Sequence, residues 1–135
     1  MKFRKLDLLA FGHFTNVSID LSAGQFGLHM IFGPNEAGKS SSLRALTDFL
    51  YGIPTRTKDS FLHPYTKMRI GGTLERNDGM VLQCIRRKGN AGTLRDQADT
   101  ATIADAELQS YIGNVDRDLF CSMFGIDHAT LRQGG

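Results

Sequence analysis

The sequence has few cysteines and no long apolar run, and each shortage argues against a class of protein. Its two cysteines, Cys84 and Cys121, lie far apart and form no CxxC pair. We therefore expect neither a disulfide framework nor a zinc site, but buried free thiols in a reducing cytosol. No stretch approaches the roughly 18 consecutive apolar residues of a membrane span. Asp7 interrupts the short apolar segment after the basic N-terminus, which argues against a signal peptide. A cytoplasmic location follows.

Net charge is also small. The 135 residues carry 16 Lys and Arg and 14 Asp and Glu, a net charge of +2. This balance excludes a strongly basic nucleic-acid tail and leaves room for a local basic patch. Arg86, Arg87, Lys88 and Arg95 are candidates for a basic patch that contacts DNA phosphates. Residues 86–88 could also supply the catalytic arginines of a kinase lid, and a solvated strand end is the simpler interpretation of them. The length and composition indicate one globular domain over residues 1–135.

Alternating apolar and polar residues predict strands near the N-terminus. Residues 3–11 and 14–21 form the first two, and Val17, Ile19 and Leu21 lie on one face of the second. Residues 26–32 are a short apolar run, which predicts a buried central strand.

The rest of the chain alternates between helix, loop and strand patterns. Leu43, Leu46, Phe49 and Leu50 recur at helical spacing and predict a helix with one buried stripe, which Gly52 ends. A loop is expected after it, in which a histidine, His63, anchors the chain. The remaining predictions are strands at 69–75 and 80–87 joined by a tight turn at 76–79, a short strand near 93–95, and helices at 104–112 and 115–123.

One segment matches a motif that carries chemistry. Residues 33–40 read GPNEAGKS, which fits the phosphate-binding pattern G-x-x-x-x-G-K-[ST] between an apolar run and an amphipathic helix. The two glycines permit a close backbone approach, and the N–H groups of the loop form a nest for an anion. The predicted nucleotide-binding residues are Gly33, Pro34, Asn35, Glu36, Ala37, Gly38, Lys39, Ser40 and Ser41.

The side chains of this loop predict ATP and Mg²⁺ as ligands. Lys39 reaches the β- and γ-phosphates and stabilises charge during phosphoryl transfer. The hydroxyl of Ser40 is a ligand for Mg²⁺, and Ser41 is placed to contact the next phosphate. The DxxG and NKxD motifs of a GTPase do not occur in the sequence. We therefore expect an α/β P-loop domain that binds ATP.

Several segments together resemble the start of a chromosome-maintenance type ABC ATPase, a group that includes double-strand-break repair and RecF- and RecN-like proteins. They are residues 5–14, KLDLLAFGHF, and residues 33–44, GPNEAGKSSSLR. With FLHPY at 61–65 and RRKG at 86–89, the chain is most similar to the bacterial YhaN-type branch. The resemblance covers essentially the whole chain and implies an AAA-type P-loop ATP-binding domain.

In such proteins the N-terminal piece is half of an ATPase head. The resemblance therefore implies an antiparallel β subdomain and a fragment of a longer coiled-coil ATPase. It also implies partners: the C-terminal half-head with its signature motif and Walker B, a second head, and DNA. We expect ATP hydrolysis from the complete protein and almost none from these 135 residues alone.

The family also has a glutamine loop that contacts Mg²⁺ and the attacking water. The resemblance places Asp127 in that catalytic and metal-binding role, with Gln133 as the other candidate; an exposed polar residue at a strand end is the alternative for either. Residues 131–135, LRQGG, are not a signature motif, because Arg132 occupies the place of the phosphate-contacting serine.

Two other functions remain open at this point. A self-contained small P-loop kinase would use Asp127 as its Walker B carboxylate, after the apolar residues 123–126. A non-catalytic interaction module would retain the loop only as part of its fold. Phosphoryl transfer to a small acceptor distinguishes the first, and full function after Lys39→Ala distinguishes the second.

Overall fold

The computed structural model describes residues 1–24, 29–34 and 38–124 of the chain. A short 3-10 helix at Tyr65–Lys67 interrupts the long loop after the first α-helix. The strands and α-helices, in chain order, are β1 (Lys2–Phe11), β2 (Phe14–Asp20), α1 (Lys39–Tyr51), β3 (Arg69–Glu75), β4 (Val81–Arg87), β5 (Leu94–Asp96), α2 (Asp105–Ile112) and α3 (Arg117–Phe124).

All five strands form one antiparallel sheet, in the order β2-β1-β3-β4-β5. In the register of this sheet, Leu6 of β1 lies opposite Ile19 of β2 and Gly72 of β3. The turn between β3 and β4 is tight, and Gly79 within it has a φ of 87°, which favours glycine. The predicted antiparallel sheet and hairpin are therefore confirmed. With few helices and no parallel strand pair among the described residues, the structure does not by itself establish an α/β head lobe.

The core lies between one face of the sheet and α1. Leu6, Leu8 and Ile70 of the sheet are buried there, together with Phe49 and Leu50 of α1. Cys84 is also buried, as predicted, whereas Cys121 is only partly so. Close packing of this kind supplies most of the stability of a small domain.

Glycine at position 72 lets α1 approach the sheet. A Cβ atom on Gly72 would lie 2.6 Å from Cζ of Phe49, which is far inside van der Waals contact. The position of the helix, and therefore of the loop before it, depends on residue 72 having no side chain.

The buried face of α1 differs from the predicted stripe. Phe49 and Leu50 are buried as expected, but Leu43 and Leu46 are only half-buried. Ser42 and Ala45 take their place against the sheet. Small residues suit the N-terminal half of the helix because β1 and the β1–β2 turn lie close to it there.

β2 forms as predicted, with Ile19 of its apolar face partly buried against the core and Val17 39% exposed, because β2 is the edge strand of the sheet. The prediction of a buried central strand before the loop is wrong for residues 29–32. Residues 29–32 form no strand, and Phe32 is 87% exposed. The described sheet offers this segment no neighbouring strand, so its apolar side chains stay in solvent. Residues 25–28 of the predicted strand lie outside the described part.

Arg86 is buried, so its interpretation as a solvated strand end or as a DNA contact is wrong. Its side chain is 4% exposed, and its guanidinium donates to the carbonyls of Phe49 and Leu50 at the end of α1. It also pairs with Asp105 at 2.8 Å. Because β4 alternates its side chains across the sheet, position 86 faces the core.

None of the helices described here is long and apolar enough to cross a membrane.

Candidate nucleotide-binding site

Gly38 marks the point where the predicted phosphate-binding loop becomes α1. Its backbone is left-handed, with φ 91° and ψ 22°. A Cβ atom there would lie 2.4 Å from Cζ of Phe14 and 2.5 Å from Cε1 of His13. Both the torsion and the space therefore require glycine. The β1–β2 turn packs directly on the start of the helix.

The first turn of α1 follows the loop directly. The helix starts at Lys39, and N–H of Ser42 donates to the carbonyl of Gly38 at 2.9 Å. The first N–H groups of a helix have no acceptor one turn earlier within that helix. Together with the helix dipole they favour an anion at this end.

Lys39 bends back over the loop. Its ammonium donates to the carbonyl of Gly33 and, at 3.3 Å, to that of Pro34. The positive charge therefore lies close to the loop backbone rather than in open solvent.

Ser40 and Ser41, the predicted magnesium and phosphate contacts, follow in the same turn. Ser40 is exposed, and the hydroxyl of Ser41 accepts a hydrogen bond from Arg44 Nη2 at 3.0 Å. The described residues contain no group of three or more His, Cys, Asp and Glu side chains that could hold a metal ion. Ser40 is the described residue that the sequence predicts as a ligand for Mg²⁺, an ion that proteins often hold with one or two side chains together with substrate phosphates.

Several predicted site residues lie outside the described residues. They include Asn35, Glu36 and Ala37 of the loop. Asp127 and Gln133, the candidates for the glutamine loop, lie outside them too. Their roles stay predictions.

Asp59 joins the long loop to this site, and no pattern in the sequence pointed to it. Its side chain is almost fully buried, and both its carboxylate oxygens accept hydrogen bonds from Arg44, at 2.8 and 2.7 Å. Its carbonyl accepts from N–H of Gly12 at 2.8 Å. The bond to Asp59 raises the pKa of Arg44 above its ordinary value. Only the spacing of Ser41 and Arg44, one helical turn apart, is visible in the sequence.

His63 fixes the β1–β2 turn from the same long loop. Its Nε2 lies 2.8 Å from the carbonyl oxygen of Phe14 and 3.1 Å from Oγ1 of Thr15. This agrees with its prediction as a loop anchor. Two contacts from the loop, at Asp59 and at His63, thus hold the turn that packs on Gly38.

A second ion pair holds α3 against α1. Arg117 donates to the carboxylate of Asp48 and, at 2.8 Å, to the carbonyl of Gly52. Asp48 is 4% exposed, and burial raises its pKa to about 6, although Arg117 opposes the shift. The pair lies towards the C-terminal end of α1, where it also lines a cleft of 690 Å³ between α1, α3 and residues 54–59.

Comparisons with known proteins show the family of the chain. A family model described as "AAA domain" matches residues 1–135. The chain is also 28% identical over 130 residues to the Bacillus subtilis (strain 168) protein named "Uncharacterized protein YhaN". The match covers 94% of this chain and 13% of that relative, so the chain spans a small part of its length. The chain therefore belongs to the AAA domain family of P-loop NTPases and is similar to YhaN.

Proposed function

We propose that the chain binds ATP with Mg²⁺ through residues 33–41, as the N-terminal lobe of an ABC-type ATPase head. The observation that carries this proposal is the position of Lys39, whose ammonium lies against the carbonyls of Gly33 and Pro34 beside the first turn of α1. A lysine over a glycine-rich loop at a helix N-terminus brings together the charge and the donors that a triphosphate needs.

Each residue of the loop has its own role in the proposed chemistry. Lys39 stabilises negative charge on the β- and γ-phosphates, and the N–H groups at the start of α1 hold the same phosphates in place. Ser40 supplies a hydroxyl ligand to Mg²⁺, and the bound ion neutralises phosphate charge. Ser41 contacts the α-phosphate. Catalysis in this proposal is positioning and electrostatic stabilisation, with no covalent intermediate on the protein.

Hydrolysis requires parts beyond the described residues. Asp127 or Gln133 would contact the metal and the attacking water, and the Walker B and signature motifs would come from a C-terminal half-head and from a second head. The exposed apolar surface of the domain supports contact with these further parts. A groove of 470 Å³ lies between α1 and α3, lined by Leu43, Leu46 and Phe124 among others. Phe32 adds further exposed apolar surface.

The role of the whole protein is the widest part of the proposal. A cytoplasmic, coiled-coil ATPase of this kind would couple ATP binding and hydrolysis to DNA maintenance or repair. The support for it is the set of motifs shared with chromosome-maintenance ATPases and the similarity to a much longer relative.

Calorimetric titration with ATP tests the binding site. We expect wild-type protein to bind ATP in the presence of MgCl₂ and to bind it more weakly in EDTA. Lys39→Ala should weaken binding about tenfold or more, because it removes a charge-assisted contact. Lys67→Ala is the matched control, since Lys67 is exposed in the 3-10 helix. Equal ATP affinity for wild type and Lys39→Ala would contradict the proposal.

Turnover tests the requirement for further parts. The 135-residue chain should release phosphate from ATP barely above the uncatalysed background. A turnover similar to that of a complete ATPase would show that a further half-head is not needed.

A further inference from the structure

Arg44 connects the candidate nucleotide site to a buried carboxylate. Its Nε and Nη2 donate to the two carboxylate oxygens of Asp59, and the same Nη2 lies 3.0 Å from Oγ of Ser41. One guanidinium thus contacts the residue that follows the Lys39–Ser40 pair of the loop. A lysine in place of Arg44 has no planar fork and cannot reproduce both contacts in this geometry.

Asp59 fixes the orientation of this guanidinium. Its side chain is 1% exposed, its backbone N–H donates to Oγ1 of Thr57 at 3.1 Å, and its carbonyl accepts from Gly12 at 2.8 Å. Both ends of the residue are therefore held, and the carboxylate has one orientation. A bidentate pair with such a carboxylate is directional as well as strong.

The hydrogen bond from Arg44 to Ser41 determines where the Ser41 hydroxyl can donate its own proton. A guanidinium has donors only, so Ser41 Oγ accepts at this contact. The proton of the hydroxyl must then point away from Arg44. Ser41 lies in the first turn of α1, directly after Lys39 and Ser40, and its hydroxyl proton is available for an acceptor other than Arg44.

We propose that Arg44, held by Asp59, is a positioning residue that makes Ser41 a hydrogen-bond donor to the α-phosphate of the bound nucleotide. The inference rests on the proposed function, because the α-phosphate reaches Ser41 only if the loop holds the β- and γ-phosphates. Arg44 itself does not contact the nucleotide. It acts by fixing the direction of one hydroxyl proton.

The two diastereomers of ATPαS, in which one α-phosphate oxygen is replaced by sulfur, test this contact. A donor to one particular oxygen binds the two diastereomers unequally, so wild-type protein should discriminate between them. Ser41→Ala should abolish the discrimination and weaken ATP binding about tenfold, the loss of one charge-assisted bond. Arg44→Lys should do the same, although it keeps the charge beside Asp59.

The double variant separates positioning from a general effect on the fold. Ser41→Ala and Arg44→Lys together should lose no more than either alone, because both remove the same hydrogen bond. Arg56→Lys is the matched control, since Arg56 is exposed and lines the cleft beside Arg44. It should leave both affinity and discrimination unchanged. If Arg44→Lys does not fold, Asp59→Asn tests the same step, because an amide gives the guanidinium only one acceptor oxygen.

The outcomes are distinguishable. Wild type that binds no ATP overturns the proposed function and this inference together. Wild type that binds ATP but does not discriminate between the diastereomers overturns only the inference. So does an Arg44→Lys variant that retains the discrimination, or a double variant whose losses add.

Discussion

Asp48 of α1 and Arg117 of α3 form an ion pair in which the carboxylate is buried and the guanidinium is partly exposed. Burial outweighs the pairing, so the pKa of Asp48 rises from 3.8 to about 6. The folded protein therefore binds a proton at Asp48 more readily than the unfolded chain does. The link between the two helices depends on pH as a result.

The first prediction concerns that dependence. Since the folded pKa of Asp48 is the higher one, the stabilising effect of its proton is complete below pH 4 and is lost as the pH rises to about 6. The free energy of unfolding of wild type, relative to Asp48→Asn, should therefore fall between pH 4 and pH 6. Urea unfolding of both proteins at several pH values measures it. A constant difference across this range would contradict the shift.

The second prediction concerns Gly38 at the start of α1. Gly38→Ala should destabilise the protein by more than 1 kcal/mol, roughly, and abolish ATP binding, because its Cβ would strike Phe14 and His13. Gly79→Ala is a matched control, since Gly79 has nearly the same φ but no atom within 4 Å of its Cβ position. Thermal unfolding measures both. Equal losses of stability would mean that the torsion alone matters at position 38.

The third prediction concerns the contact between Gly72 and Phe49. Gly72→Ala should cost about 1–3 kcal/mol of stability, as overpacking of a core does. Phe49→Leu in the same chain should recover part of that loss, because the smaller side chain leaves room for the new methyl group. A double-mutant cycle by urea unfolding measures the coupling. Additive losses would place the effect of Gly72→Ala elsewhere.

The fourth prediction concerns Arg86, which binds the last carbonyls of α1. Arg86→Leu should destabilise the protein by about 3 kcal/mol or more, because it leaves the carbonyls of Phe49 and Leu50 without this donor in a buried place. Arg87→Leu is its control, since the next residue of β4 faces the other side of the sheet. Chemical unfolding should show the larger loss for Arg86→Leu. If the two variants lose equal stability, the contacts to α1 are not important.

The sequence determined the features that depend on neighbouring residues. The extent of α1 followed from helical spacing and from Gly52, and the β3–β4 turn followed from the residues around Gly79. The phosphate-binding loop was visible because its glycines, Lys39 and Ser40 lie within eight consecutive residues. Features of this kind depend only on residues that lie close together in the sequence.

Tertiary structure alone decided which polar residues are buried and which apolar residues are not. Arg86 is buried because α1 packs over β4 and offers it carbonyls, and Asp59 is buried because Arg44 pairs with it from another segment. Phe32 is exposed because the described sheet has no strand beside it. Each outcome depends on a partner distant in the chain. Burying a charge is strongly destabilising unless such a partner pairs with it.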